Sequence, residues 1–129
     1  MSSRSLADLA DPFRQMAVAW LDDCRAAGLD ILVYCTLRDF KEQDALYEQG
    51  RTTPGSIVTY ARGGQSAHNF GLALDFVPLI NGKPQWKAGN PLYVNAITLA
   101  SARAMESASK WVKFKEWPHL QLPGWKDHV

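Results

Sequence analysis

Two short segments, far apart in the sequence, hold two of the chain's three histidines, each close to a carboxylate. The first runs Ser66-Ala-His68-Asn-Phe-Gly-Leu-Ala-Leu-Asp75 and the second is Glu116-Trp-Pro-His119. Two imidazoles and one carboxylate, with a fourth position left for water, are the ligands that a catalytic zinc ion uses. If His68, Asp75 and His119 bind one ion, the fold must bring these two segments together. This requirement constrains the fold more than any other feature of the sequence.

Spacing alone does not establish that these side chains converge. His68 and Asp75 are seven positions apart, so they cannot share one face of a helix, but a glycine between them lets the backbone turn. Glu116 and His119 are three positions apart and would face opposite sides of a straight strand. Pro118 is consistent with a bend or bulge there, because proline cannot donate to a strand ladder. On spacing alone, a polar-loop histidine and a strand-end aspartate without metal remain an alternative.

The residue types also suggest a chemistry. A glutamate that lies near a bound zinc ion without binding it can act as a general base on the zinc-bound water. We predict this role for Glu116, which would later return the proton to the leaving amine. His128, close to the end of the sequence, is expected to be a solvated residue and not a ligand. These residues predict a small zinc hydrolase.

The same segments resemble the VanY-like zinc peptidases of bacterial cell walls. Five positions match the first signature of that family: Ser66, His68, Gly71, Ala73 and Asp75. The run from Glu116 to Gln121 resembles the second signature, with Leu120 where an aromatic residue is commoner. Residues 36–55 resemble the part that precedes the zinc motif in the phage endolysin branch. The family includes D-alanyl-D-alanine carboxypeptidases and L-alanyl-D-glutamate endopeptidases.

The resemblance implies a fold and a site. The fold is α+β, with a small antiparallel sheet flanked by helices and a Zn²⁺ site in a cleft on the sheet. Arg38 matches an active-site arginine of the family, which would pair with a substrate carboxylate or stabilise an oxyanion. A surface salt bridge is the alternative for Arg38. Gln43 and Ser66 also match family positions and are predicted to bind substrate.

The implied activity is zinc-dependent hydrolysis of peptidoglycan stem peptides, most specifically of the L-alanyl-D-glutamate bond by a phage-type endolysin. A D-alanyl-D-alanine carboxypeptidase or dipeptidase is the alternative within the family. A non-catalytic zinc-containing wall-binding module is the alternative from another class, and the presence of Glu116 argues against it.

Composition limits the domain count and the partners. The 129 residues are 47% hydrophobic with a formal net charge of +1, which predicts one folded catalytic domain over residues 1–129 without a separate wall-binding domain. This charge gives no broad surface for nucleic acid, so a peptidoglycan stem peptide is the expected partner of a monomer. Cys24 and Cys35 are too few for a disulfide framework and are expected to be buried free thiols.

The N-terminal residues have no apolar core of a secretory signal, and no apolar run approaches the length of a membrane span. We therefore expect no membrane insertion. The pattern favours an enzyme that accumulates in the host cytoplasm and reaches the periplasm and cell wall through a holin-type pore.

Hydrophobic periodicity and turn residues predict the secondary structure. Helices are expected at residues 12–28, with Asp11 as the cap, 39–48 and 90–105, and strands at residues 30–36, 72–77, 111–114 and 117–122. Asn81-Gly82 predicts a hairpin. In the second helix, Phe40, Ala45 and Leu46 are expected to point inward. The third helix is expected to continue directly into the next strand, because no glycine separates them.

Overall fold

The computed structural model describes residues 2–111 and 115–129. Within these residues, the helices are α1 (Phe13–Ala26), α2 (Phe40–Glu48) and α3 (Pro91–Ala102). The strands are β1 (Asp30–Cys35), β2 (Ala73–Ile80), β3 (Lys83–Pro84), β4 (Glu106–Ser107) and β5 (His119–Gln121). The predicted strand at 111–114 lies mostly outside the described residues. The α+β class with a small antiparallel sheet is confirmed.

The sheet places Asp75 between two other candidate site residues. Its strand order is β1-β2-β5-β4, with β3 also paired to β2, and every pairing is antiparallel. In this register Asp75 is opposite Cys35 on β1 and opposite His119 on β5. Side chains directly opposite each other on antiparallel strands are close enough to interact. The sheet therefore places residues 35, 75 and 119 side by side across three adjacent strands.

Helix α1 forms as its periodicity predicts. The side chains on one face of this helix are buried: Phe13, Ala17, Trp20, Leu21 and Cys24. Trp20 packs edge-on against Phe76 of β2, at 5.1 Å between ring centroids, and its indole N–H donates to the carbonyl of Ala96 at 2.9 Å. Trp20 therefore joins α1, the sheet and α3 in one core.

The orientation predicted for helix α2 is wrong for Phe40 and Ala45, whereas Leu46 is half-buried. Phe40 is 49% exposed and packs edge-on against Phe70, and Ala45 is also exposed. The fully buried side chain of this helix is Gln43. Its amide has hydrogen-bond partners on both sides, so a polar group occupies the inner face without the cost of an unmade hydrogen bond.

The end of α3 also differs from the prediction. The helix ends at Ala102, and Ala104 adopts a left-handed conformation with φ 62°. Ala104 thus supplies the reversal that a glycine commonly provides, and β4 follows.

The Asn81-Gly82 hairpin is confirmed, with both residues at positive φ. Cys24 and Cys35 are buried and free. Among the described residues, no helix has the length and apolar character needed to cross a membrane.

Candidate metal centre

Two predicted ligands, His68 and His119, converge on a carboxylate oxygen of the third, Asp75. Asp75 lies on central strand β2, His119 begins β5, and His68 lies in a 3-10 turn, Ala67–Phe70. The Nε2 atom of His68 and the Nδ1 atom of His119 each lie 3.2 Å from Oδ1 of Asp75. The two imidazole rings are 5.0 Å apart between centroids. All three side chains are largely buried, so little water separates them.

The protonation of His68 follows from its other ring nitrogen. Nδ1 lies 2.8 Å from the backbone carbonyl of Thr36. A carbonyl oxygen only accepts, so Nδ1 carries a proton and donates it. Nε2 then has its lone pair available in the neutral ring, on the side of Asp75. Metal-binding histidines in proteins have this arrangement, in which the second N–H donates to a carbonyl or carboxylate.

The 3-10 turn that holds His68 is built from local capping. The Ser66 hydroxyl accepts from the His68 N–H, and Asn69 completes a reciprocal capping box. Gly71 ends the turn at φ 70°, and a Cβ there would meet the Ala10 backbone nitrogen at 2.9 Å. A glycine is therefore required here for two reasons. It adopts the positive φ without strain, and it leaves room for the Ala10 backbone, which a Cβ would hit.

The electrostatics of the three side chains are tightly linked. Burial alone would raise the pKa of Asp75, but the charges and hydrogen bonds of His68 and His119 outweigh burial, so its pKa lies well below the usual range. Burial alone would lower the pKa of His68, but the charge and hydrogen bond of Asp75 raise it to about 10. In the metal-free protein, Asp75 is therefore a carboxylate beside a protonated His68.

These donors fit a zinc ion: two imidazole nitrogens and one carboxylate oxygen, each partly desolvated. A second set overlaps with them, since ligand atoms of Cys35, His68 and Asp75 lie within 4.8 Å of one another. The Cys35 sulfur lies 3.7 Å from Nδ1 of His68, the nitrogen that donates to Thr36. We favour the set with His119, because its Nδ1 and the Nε2 of His68 face the same carboxylate oxygen.

Glu116 lines the same cavity as these three side chains. It precedes the bend at Trp117-Pro118, which replaces a straight strand before β5, and both Glu116 and His119 line the same cavity. The Pro118 carbonyl accepts from the Phe76 N–H at 3.0 Å, which fixes the bend to β2. Burial, together with the negative charge of Asp75, raises the pKa of Glu116 against the opposing effect of nearby cations. A raised pKa suits a general base that exchanges protons near neutral pH.

Arg38 extends towards the same carboxylate. Its Nη2 lies 3.7 Å from Oδ2 of Asp75 and 3.3 Å from the Cys35 sulfur. Its Nη1 donates to Gln43 Oε1 at 3.0 Å, and the Gln43 amide nitrogen donates to the Ala61 carbonyl at 2.8 Å. The Arg38 Nε–H is buried and has no protein partner in the described part of the chain.

All of the predicted site residues except Gln43 line the same cavity. His68, Asp75, His119, Glu116, Arg38 and Ser66 all line one cavity of about 760 Å³. Gln43 is fully buried behind Arg38 and is not among the residues that line this cavity. The cavity walls are rich in aromatic side chains: Tyr34, Tyr60, Trp86, Trp111, Trp117 and Trp125. This combination suits an extended ligand with apolar and polar parts.

Two contacts of this site were not anticipated from the sequence. Cys35 lies against both His68 and Arg38, and the pairing of β1 with β2 brings it there. Gln121 lies 2.9 Å from Nε2 of His119. The two-residue separation of His119 and Gln121 on one strand, which puts both on the same face, was the available signal.

An α+β domain with two histidines and an aspartate at the base of a cleft that a half-buried glutamate also lines has the features of a metallopeptidase. The family model described as VanY: D-alanyl-D-alanine carboxypeptidase matches residues 7–115. The chain belongs to this family of peptidoglycan-acting metallopeptidases.

One relative supports this assignment, and two solved structures share the fold. Peptidoglycan L-alanyl-D-glutamate endopeptidase CwlK of Bacillus subtilis (strain 168) is 38% identical over 123 residues, which cover 89% of this chain and 74% of CwlK. The crystal structure of L-Ala D-Glu endopeptidase ChiX of Serratia marcescens has a TM-score of 0.72 at 20% identity, covering 99% of this chain and 92% of ChiX. A mutant of the D,D-pentapeptidase VanY from a VanB-type resistance cassette, in complex with Zn(II), has a TM-score of 0.61 at 17% identity, covering 92% and 74%.

Proposed function

We propose that this protein is a zinc-dependent endopeptidase that cleaves the L-alanyl-D-glutamate bond of peptidoglycan stem peptides. The observation that carries the proposal is the convergence of His68 Nε2 and His119 Nδ1 on Asp75 Oδ1 in a cavity that Glu116 also lines. The choice of bond is supported by the 38% identity to an L-alanyl-D-glutamate endopeptidase.

His68, Asp75 and His119 would hold the ion and leave a fourth position open. When bound, zinc would polarise the scissile carbonyl and lower the pKa of a coordinated water. Glu116 lies on the cavity wall and would accept a proton from that water. The protonated Glu116 would then give the proton to the departing amine, which leaves the glutamate ready for another cycle.

Arg38 would bind the substrate on the other side of Asp75. The guanidinium group is held in place by Gln43, while its buried Nε–H remains without a protein partner. A substrate carboxylate or the oxyanion of the reacting carbonyl would accept from the part of the guanidinium group that lines the cavity. Stem peptides carry carboxylates close to the scissile bond, so the proposed substrate supplies such a group. Ser66 lines the cavity as well, although its hydroxyl also caps the turn of His68.

We further propose a lytic role of the endolysin type, with accumulation in the host cytoplasm and release to the wall through a holin-type pore. Support comes from the resemblance of residues 36–55 to the endolysin branch. Inducing the protein in a Gram-negative host with and without a separately expressed pore tests this role. The proposal predicts lysis only with the pore, and only when Glu116 is intact. Equal lysis without the pore would contradict the proposed route.

A D-alanyl-D-alanine carboxypeptidase is the second candidate, because the description of the matching family names that activity. The two activities yield different products from one substrate. An endopeptidase leaves L-alanine on the glycan strand and frees peptides that begin with D-glutamate, whereas a carboxypeptidase removes only a terminal D-alanine.

Mass spectrometry of muropeptides from purified Gram-negative sacculi separates these activities. The sacculi are digested with the purified protein, with protein treated with a chelator, and with chelated protein given zinc. The proposal predicts peptides that begin with D-glutamate, lost with chelator and restored by zinc. Release of D-alanine alone would replace it with the carboxypeptidase. Bound zinc without any product would favour a non-catalytic wall-binding module.

A further inference from the structure

A chain of hydrogen bonds leads away from His119 to a carboxylate outside the ligand set. His119 Nε2 lies 2.9 Å from Gln121 Oε1, and Gln121 Nε2 donates to Glu106 Oε2 at 2.9 Å. Glu106 and Gln121 are opposite each other in the β4–β5 register, so the sheet itself sets their separation. The half-buried Glu106 is therefore the last residue of a hydrogen-bond chain, called the relay below, that begins at His119, a predicted metal ligand.

The same carboxylate oxygen also holds a cavity wall. Trp111 donates its indole N–H to Glu106 Oε2 at 3.0 Å. The Trp111 ring lies 5.5 Å from the His119 ring between centroids and lines the cavity. Glu106 therefore acts on two sides of His119, on the ring nitrogen through Gln121 and on the ring face through Trp111.

The relay determines which way the Gln121 amide points. The two ends of an amide have the same shape, but one only accepts and the other only donates. Glu106 Oε2 accepts from both the Trp111 indole N–H and the NH₂ end of Gln121, which leaves the amide oxygen facing His119. That oxygen requires a proton on Nε2 of His119. Nδ1, 3.2 Å from Asp75 Oδ1, is then the ring nitrogen left to bind an ion in place of its contact with Asp75.

We propose that Glu106 is a positioning residue for the metal centre. Through Gln121 it holds His119 in the tautomer whose Nδ1 can bind the ion, and through Trp111 it restrains the ring. Without Glu106, the Gln121 amide is free to rotate by half a turn and present its NH₂ group to Nε2. That rotation stabilises the tautomer that carries its proton on Nδ1. In this tautomer Nδ1 has no lone pair with which to bind the ion. The inference rests on the proposed function, since it takes His119 as a zinc ligand.

Zinc affinity tests this role, measured on the full chain by competition with a chromophoric chelator. Glu106→Ala is expected to raise the dissociation constant by about 10–100-fold, the range typical of losing a residue that orients a metal ligand. Glu106→Gln is expected to recover most of that loss, because an amide oxygen accepts both bonds. Glu48→Ala is the matched control, since Glu48 is a half-buried glutamate on α2 outside the lining residues.

A double-mutant cycle separates positioning from general stabilisation. Gln121→Leu interrupts the same relay, so we expect Glu106→Ala to add little to the affinity loss already caused by Gln121→Leu. Independent effects would multiply. Glu106→Met, which keeps the length of the side chain, replaces Glu106→Ala if the alanine variant does not fold. Melting temperatures of the metal-free variants show whether the loss of affinity occurs in folded protein.

The outcomes distinguish this inference from the proposed function. If wild-type protein binds no zinc, the proposed function fails, and the role of Glu106 fails with it. If wild-type protein binds zinc and cleaves stem peptides while folded Glu106→Ala and Glu106→Met bind zinc equally tightly, only the role of Glu106 is overturned. Multiplicative losses in the cycle would also overturn it, because Glu106 would then act independently of Gln121.

Discussion

Asp75 and His119 are directly opposite each other on adjacent antiparallel strands, with Asp75 Oδ1 3.2 Å from His119 Nδ1. The pairing of β2 with β5 therefore creates one edge of the metal centre by register alone. A slip of one residue would turn one of these side chains to the other face of the sheet. The metal centre and the sheet register are thus parts of one arrangement.

Asp75 should be the side chain on which metal binding depends most. Its Oδ1 contacts both histidines, so Asp75→Ala removes a ligand and leaves two imidazoles without their shared acceptor. We expect zinc affinity to fall by more than about 100-fold, beyond the usual loss for residues that only orient a ligand. Asp30→Ala, an exposed acid at the start of β1, is the control and should bind zinc normally. Isothermal titration with zinc measures both.

Glu116→Gln should separate catalysis from metal binding. Glutamine has nearly the same shape but cannot take a proton from water, so we expect turnover to fall by about 10²–10⁴-fold. Zinc affinity should change little, because Glu116 lies outside the ligand set. Steady-state kinetics on a defined stem peptide, paired with metal analysis, checks both quantities. Turnover near the wild-type rate would remove Glu116 from its assigned role.

Arg38 and Gln43 should affect substrate binding to different degrees. Arg38→Lys loses the planar guanidinium and its buried Nε–H, so we expect kcat/KM to fall by about 10²-fold. Gln43→Leu keeps the arginine but removes its support and the bond to the Ala61 carbonyl. For Gln43→Leu we expect a smaller loss of kcat/KM than for Arg38→Lys. We also expect faster amide hydrogen exchange around residue 61, measured by mass spectrometry. Equal losses without a change in exchange would indicate that Gln43 contacts substrate directly.

Zinc binding should release a proton at neutral pH. The raised pKa of His68, about 10, means that its Nε2 is protonated in the metal-free protein at pH 7. Zinc binds only the neutral ring, so about one proton per ion should be released. Affinity should accordingly fall as the pH falls, because more protons compete for Nε2. Calorimetry in buffers of different ionisation enthalpy measures the proton count, and identical heats in all buffers would rule out this linkage.

The approach of the proposed ligands to one another could be predicted from sequence because closely spaced signatures carry them. His68 and Asp75 share one motif, and the bend that brings Glu116 and His119 to one cavity was expected from Pro118. The predicted strand at residues 117–122 shortens to β5. Local patterns of this kind hold where short-range geometry decides the structure.

Contacts that depend on strand pairing or on polar networks could not be predicted from the sequence. The approach of Cys35 to His68 spans 33 positions and requires the β1–β2 register. The burial of Gln43 contradicts its polarity, because its hydrogen bonds to Arg38 and to a distant loop compensate the inward position. Periodicity reports hydrophobic faces and carries no information about such polar networks.

X-ray absorption spectroscopy at the zinc edge, on protein reconstituted with an equimolar amount of zinc, tests the central claim most directly. If His68, Asp75 and His119 hold the ion, the first shell contains only nitrogen and oxygen at about 2.0–2.2 Å, with the signature of two imidazoles. His119→Ala should then lose one imidazole contribution. A sulfur neighbour at about 2.3 Å would contradict the account, because it would place the ion in the competing set with Cys35.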